Sequence, residues 1–215
     1  MPDHTVMDKA SADTLRNFVA GGGTVIMTGY SAITDETNKV FDSPLPGRLS
    51  DVFGIRIAGF DRAGHPDRKG EIQPAQRTLV CEGETVSFTS DYVERIELHD
   101  AKCYAALDNG QCAVSTHVFG KGRAYYIASE ANAELFSWLI GRIAEETGLT
   151  PPPCVPAGVQ ARRIAPGQIF YVNTTNKPVA VPLEKAGHGV LTEADYSGGM
   201  ILAPYDGELL LCGEE

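Results

Sequence analysis

Three consecutive prolines inside TPPPCVP, residues 150–156, divide this chain. Proline fixes φ and has no backbone N–H, so such a run continues neither a helix nor the interior of a sheet. Whatever precedes it must close as one module, and whatever follows must fold on its own terms. The reading is therefore a first domain over 1–150, a Pro-rich linker over 151–156 and a small C-terminal β domain over 157–215. At 215 residues the chain is long enough for one ordinary domain with a small appendage.

In the first module, SADTLRNFVA at residues 11–20 places Ala12, Leu15, Phe18 and Val19 on one face. Gly21, Gly22 and Gly23 stop this amphipathic helix. TVIMT follows at once, and its apolar run reads as a strand buried on both faces. Helix then strand suggests an α/β layer with parallel pairing. The middle is poorer in helix. EGE is a turn flanked by apolar runs, and DNG and GKG signal hairpins, because both need residues that tolerate positive φ. A second helix is expected from about Ala131 to Thr147, with Leu135, Phe136, Leu139, Ile140 and Ile143 on one stripe. Beyond the prolines, short β-rich runs separated by Gly, Pro and Asn turns suit a small antiparallel sheet or sandwich.

Charge and cysteine usage narrow the function classes. Eighteen Lys and Arg against 28 Asp and Glu give a net charge of −10, spread along the chain, which disfavours nucleic acid as a partner. No apolar run is long enough to cross a bilayer, and MPDHTVMDKASADT does not read as a signal peptide. Five cysteines, Cys81, Cys103, Cys112, Cys154 and Cys212, form an odd, irregular set that fits a reducing cytoplasm better than a secreted disulfide framework. The sequon at Asn173 is then a chance match.

Four stretches, in order, resemble the glycoside hydrolase family 42 β-galactosidases: LRNFVAGGGTVIMTGYSAITDETNKVF, LPGRLSDVFGIRI, VFGKGRAYYIAS and GVQARRIAPGQIFYVNTT. The resemblance implies a trimerisation domain followed by a C-terminal β domain. In such enzymes a catalytic (β/α)₈ barrel comes first and holds the two carboxylates of retaining hydrolysis. The middle module then has a class I glutamine amidotransferase-like, flavodoxin-like layered α/β fold. The resemblance also implies a strand, helix and strand ahead of the helix at Ser11. The domain is accordingly expected to be N-terminally incomplete, with an exposed sheet edge that favours self-association or marginal stability. The chain alone is expected to be inactive, as the oligomerisation and accessory part of an enzyme cleaving terminal β-galactosides. Its expected partners are copies of itself, a trimer by resemblance, or a separate barrel-bearing chain.

The candidate sites carry little chemistry. An amidotransferase-like hydrolase would use Cys112 with His117 as base, but these lie five residues apart on one predicted strand and point to opposite faces. Buried structural cysteine is the better reading. His4, His65, His99, His117 and His188 are scattered, and His99 with Asp100 and Asp91 reads as a solvated loop rather than a metal cluster. Gly120 to Gly122 lacks the remaining residues of a phosphate loop. Asp35, Glu36 and Asn38 form an acidic loop. Tyr30, Phe41, Phe53 and Phe60 are candidates for either subunit contacts or core packing. A sugar-binding accessory role would use Phe170, Tyr171, Tyr196 and Tyr205, although Phe170 and Tyr171 must face opposite ways. No catalytic, cofactor-binding or metal-binding residue is assigned, and no cofactor is expected.

Overall fold

The computed structural model describes residues 1, 4–62, 74–130, 132–149 and 153–213. Residues 150–152 of the proline segment, His65 and Ala131 lie outside them. The chain divides into two compact units, Met1–Ile143 and Ala144–Glu215.

The first unit opens with helix α1 (Lys9–Ala20), which starts two residues earlier than the sequence suggests. Asp8 caps it, its carboxylate accepting from the Ser11 amide at 2.8 Å and satisfying one of the orphan donors of the first turn. Gly21 ends it. Ala12 and Val19 are buried, whereas Phe18 stays half exposed and lays its ring over Gly23, where a Cβ would overlap it. Strand β1 (Thr24–Thr28) follows. A short helix α2 (Ser50–Phe53) then leads through Gly54 into β2 (Ile55–Arg62). The strands β3 (Ala75–Cys81), β4 (Glu84–Ser90), β5 (Tyr92–Leu98), β6 (Lys102–Leu107), β7 (Cys112–Phe119) and β8 (Gly122–Ile127) come next. Helix α3 (Ala133–Thr147) closes the series and crosses the division between the units.

Six strands form one sheet in the order β1-β8-β7-β6-β3-β4, and β2 pairs with β5 in a separate antiparallel ribbon. Within the six-stranded sheet only β1 and β8 run parallel. This corrects the expectation of a class I glutamine amidotransferase-like, flavodoxin-like α/β layering. Strand makes up 45% and helix 17% of the structure, and the sheets are curled. The reason is local. EGE, DNG and GKG each close a tight turn, joining β3 to β4, β6 to β7 and β7 to β8, and a tight turn permits only antiparallel pairing. Parallel pairing needs a long crossover, and β1 finds its parallel partner about a hundred residues later.

Both faces of the sheet are covered. On one, Leu79, Phe88, Val114, Tyr125 and Ile127 pack with Leu135, Leu139 and Ile143 of α3. On the other, Met27, Ala124 and Tyr126 pack with Ala12 and Val19 of α1 and with Val52 and Phe53 of α2. The GKG turn brings β8 against the end of α1 so closely that a Cβ on Gly122 would overlap the Val19 carbonyl oxygen.

The second unit has a five-stranded sheet in the order β13-β12-β15-β10-β9, where β9 is Val159–Ala165, β10 Gln168–Asn173, β12 Gly187–Gly189, β13 Asp195–Tyr196 and β15 Gly207–Cys212. An antiparallel ribbon of β11 (Val179–Pro182) and β14 (Gly199–Leu202) completes it. Val159, Ile169, Tyr171, Val181, Leu183, Met200, Leu202 and Leu210 make its core.

The stripe of α3 gives a direct check. Leu139 is fully buried and its neighbour Ile140 is half exposed. Leu139→Ala is expected to cost about 2–5 kcal/mol through lost burial and the cavity left behind. Ile140→Ala should stay within about 0.5 kcal/mol. Urea unfolding of both variants measures the difference, and equal losses would show that the helix presents another face.

Candidate functional site

The most organised polar cluster of the first unit lies where the parallel strands β1 and β8 end. Glu94, in the middle of β5, is only 3% exposed. Its carboxyl accepts the Tyr126 hydroxyl at 2.6 Å and the Tyr30 amide at 3.0 Å, and its own amide donates to the Ala128 carbonyl at 2.6 Å. Burial pushes the Glu94 carboxyl above its usual range, and the hydrogen bonds from Tyr126 and Tyr30 offset only part of that. The Tyr126 hydroxyl is pushed well up in turn, by burial and by the Glu94 charge.

Two residues after β1, the chain turns sharply. Tyr30 and Ala32 both adopt positive φ, 57° and 53°. Such a conformation is costly for residues with a Cβ and persists only where the surroundings enforce it. Here the Tyr30 amide is anchored on Glu94, and the Gly29 amide donates to the Ser129 carbonyl at 2.8 Å. A Cβ on Gly29 would press on the Tyr92 ring and the Ser129 carbonyl, so this step of the chain admits no side chain easily. The outcome is an aromatic group at the surface. Tyr30 meets Tyr92 edge-on with ring centroids 4.4 Å apart and Phe60 at 5.8 Å, with Phe60 half exposed.

Of the aromatic candidates, Tyr30 and Phe60 thus come together at the surface, with Tyr30 resting on the buried Tyr92. Phe53 is core, edge-on to Tyr126 at 5.7 Å. Phe41 packs under the Arg48 guanidinium, 5.3 Å from its ring centroid. Glu94 and Tyr126 were missed by sequence reasoning. The available signal was the pair Tyr125–Tyr126 inside an apolar run, since a strand buried on both faces must find a partner for each hydroxyl.

Cys112 and His117 do not converge. The His117 Nδ1 lies 2.8 Å from the Val52 carbonyl, to which it donates, on the α2 side of the sheet. Cys112 contacts Cys103 instead, and burial pushes its thiol up, the opposite of what a nucleophile needs. His99 and Asp100 donate their amides to the Gly54 carbonyl at one end of β5, while Asp91 sits before its other end and donates to Glu130. His4 donates its amide to Ser31, and His188 hydrogen-bonds Asp195 at 2.8 Å. Among the described residues no three His, Cys, Asp or Glu side chains gather to hold a metal ion. The acidic loop is closed on itself: Asp35 accepts from the Thr37 amide and hydroxyl and from the Lys39 amide, Glu36 faces Arg48 at 3.5 Å, and Asn38 takes a positive φ. Among the described residues no helix is long and apolar enough to cross a membrane.

The second unit spreads its aromatics apart. Tyr171 is buried, Phe170 and Tyr205 are exposed, and the Tyr196 hydroxyl bonds Thr192 at 2.9 Å. A cavity of about 800 Å³ takes in Tyr171 with Arg163, Ile169, Glu184 and Cys212. Asn173, the residue of the sequon, is fully buried. Its amide donates to the carbonyls of Lys177, Ala203 and Leu202, and its oxygen accepts from the Thr175 amide and hydroxyl. Glu208 is equally buried. Burial works to raise its carboxyl, but bonds from Thr192, Leu191 and Leu209 together hold it below the usual range.

A family profile described as the beta-galactosidase trimerisation domain matches residues 1–150. Beta-galactosidase BgaA of Planococcus sp. (strain 'SOS Orange') is 32% identical over 198 residues, which cover 89% of this chain and 29% of that protein. Beta-galactosidase BgaP of Planococcus sp. (strain L4) is 30% identical over 212 residues, 93% of this chain and 30% of that protein. Among solved structures, Gan42B, a GH42 beta-galactosidase from G. stearothermophilus, is 26% identical with a TM-score of 0.71, covering 97% of this chain and 31% of its own. The beta-galactosidase from Bacillus circulans sp. alkalophilus shares the fold at 24% identity, with a TM-score of 0.75, 99% of this chain and 32% of its own. The chain spans about three-tenths of the length of these relatives.

Glu94 makes a pH-dependent prediction. Its folded pKa lies above the unfolded value, so the native state binds the extra proton and stability falls as pH rises through the interval between the two. Glu94→Gln removes that titration. Relative to the variant, the wild-type chain should therefore lose stability from about pH 4.5 upward until Glu94 is fully ionised. Urea midpoints of both proteins between pH 4 and pH 8 read this out, and parallel profiles would refute it.

Proposed function

The chain belongs to the glycoside hydrolase family 42 β-galactosidase trimerisation-domain family, and from that premise we propose that it is the oligomerisation and accessory part of a β-galactosidase of this kind, packing subunits rather than reacting. The observation that carries the reading is the match of residues 1–150 to the trimerisation domain. Hydrolysis of terminal β-galactosides is assigned to a catalytic barrel, in the same longer polypeptide or on a separate chain. In this reading residues 1–150 assemble the oligomer, residues 151–156 link, and residues 157–215 form the accessory β domain.

The assembly is a homotrimer, and the surface proposed to meet the neighbouring subunit includes Tyr30 and Phe60. Aromatic side chains supply large contact area at modest entropic cost; Tyr30 is held out by a backbone turn anchored on Glu94, and Phe60 on β2 packs beside it.

Light scattering on the purified chain tests the reading. A mass three times that of the chain is expected, shifting toward the monomer in the double variant Tyr30→Glu, Phe60→Glu while far-ultraviolet circular dichroism stays unchanged. A monomer at every concentration would overturn the assembly role, and turnover of a chromogenic galactoside by the pure chain would overturn the non-catalytic one.

A further inference from the structure

One pair of cysteines is not accounted for by core packing. Cys103 lies on β6 and Cys112 opens β7, in the hairpin closed by DNGQ. Along this hairpin Cys103 faces Ser115, Ala105 faces Val114 and Ala106 faces Cys112, with irregularities of register on both sides of Ala105. In a regular ladder two residues so placed would keep their side chains apart. Here both thiols fold toward the middle of the irregular stretch. The Cys103 sulfur lies 3.4 Å from the Ala105 carbonyl and the Cys112 sulfur 3.4 Å from the Val114 carbonyl, and Ala105 and Val114 are direct partners. Each S–H is spent on a carbonyl, so the two sulfurs approach the Ala105–Val114 pair from its two sides, and the Cys103 sulfur is near enough to push the Cys112 thiol up. Cys103 is exposed and Cys112 half-buried, so one sulfur faces solvent and the other sits behind it.

Cys81 is the remaining thiol of the first unit. It is buried and directs its thiol to the Tyr104 carbonyl at 3.3 Å. Cys154 and Cys212 belong to the second unit.

We propose that Cys103 and Cys112 are a modification site, forming a reversible intramolecular disulfide by exchange with a small-molecule disulfide of the glutathione type. The Cys103 thiolate attacks one sulfur of oxidised glutathione. That S–S bond breaks, a mixed disulfide forms on Cys103, and one glutathione leaves as a thiolate that takes up the proton Cys103 gave up. The Cys112 thiolate then attacks the Cys103 sulfur, breaks the mixed disulfide and expels the second glutathione, which takes the Cys112 proton. Two protein thiols are oxidised and one glutathione disulfide is reduced to two thiols.

Exposure sets the order of these steps, because the oxidant reaches Cys103 first. Burial and the neighbouring sulfur both push the Cys112 thiol up, so the closing step is the slow one and accelerates as pH rises. Closure requires the two Cα atoms within about 7 Å. The irregular register around Ala105 is where the hairpin takes up any adjustment, and the bond would staple β6 to β7 across its least regular stretch.

The test uses the full chain, incubated with oxidised glutathione, alkylated, digested without reductant and analysed by mass spectrometry. The expected product is a Cys103–Cys112 cross-linked peptide lighter by two hydrogens than the summed thiol peptides. It should form faster at pH 8.5 than at pH 7 and disappear with dithiothreitol. Cys112→Ser should stop at the glutathione adduct on Cys103. A bridge from either residue to Cys81, a wild-type reaction that ends at the Cys103 adduct, or unmodified thiols would each overturn the proposal. Because mapping is done on the wild-type chain, the result does not depend on how the variant folds.

Discussion

The first unit depends on the burial of Tyr125 and Tyr126, two successive residues of β8 that point to opposite faces and are both inaccessible to solvent. A strand in this position needs cover on each side. Tyr125 finds it in Tyr104, edge-on at 5.4 Å, and in the α3 stripe. Tyr126 finds it in Phe53 and the α1 side of the sheet. A buried hydroxyl also needs a partner, since leaving one unsatisfied costs about 1–3 kcal/mol. For Tyr126 the partner is Glu94, and the second oxygen of that carboxyl is taken by the Tyr30 amide. The turn that brings Tyr30 to the surface is therefore the far end of a chain of requirements that begins in the core.

Much of this unit was legible from local chemistry. The glycine stop after α1, the apolar run of β1 and the three hairpin glycines each act over a few residues, and each appears where its spacing indicates. The layering was not legible, because the same signals bear on it in opposite senses. A helix followed by a strand buried on both faces suggests parallel α/β stacking, and β1 and β8 do pair that way. The tight turns at Gly83, Gly110 and Gly120 dictate antiparallel pairing of β3 with β4, β6 with β7 and β7 with β8, and β3 with β6 is antiparallel as well. Phe18 shows the same limit at one residue. Helical periodicity places it on the buried face, but Gly23 offers its ring a seat outside the core.

In the second unit the polar interior was hidden for a different reason. Asn173 sits in a sequence that matches a glycosylation acceptor, and such a match says nothing about burial. In the fold its side chain joins three carbonyls to the Thr175 turn. Glu208 likewise looks like a solvated acid in GELLLC, yet it gathers the amides that open the loop after β12. A small domain with few core residues has little apolar burial to order its loops. Saturated buried hydrogen-bond hubs supply that order instead.

The same saturation bears on what the chain does. Retaining glycoside hydrolysis uses two carboxyl groups roughly 5–5.5 Å apart, one a nucleophile with a lone pair free to meet the sugar and the other able to pass on a proton. Glu94 gives its oxygens to Tyr126 and Tyr30. Glu208 gives its oxygens to Leu191, Thr192 and Leu209. Turning either to catalysis would mean withdrawing it from the loop it organises and leaving buried donors unpaired. In both units the buried carboxyl is committed to holding backbone in place.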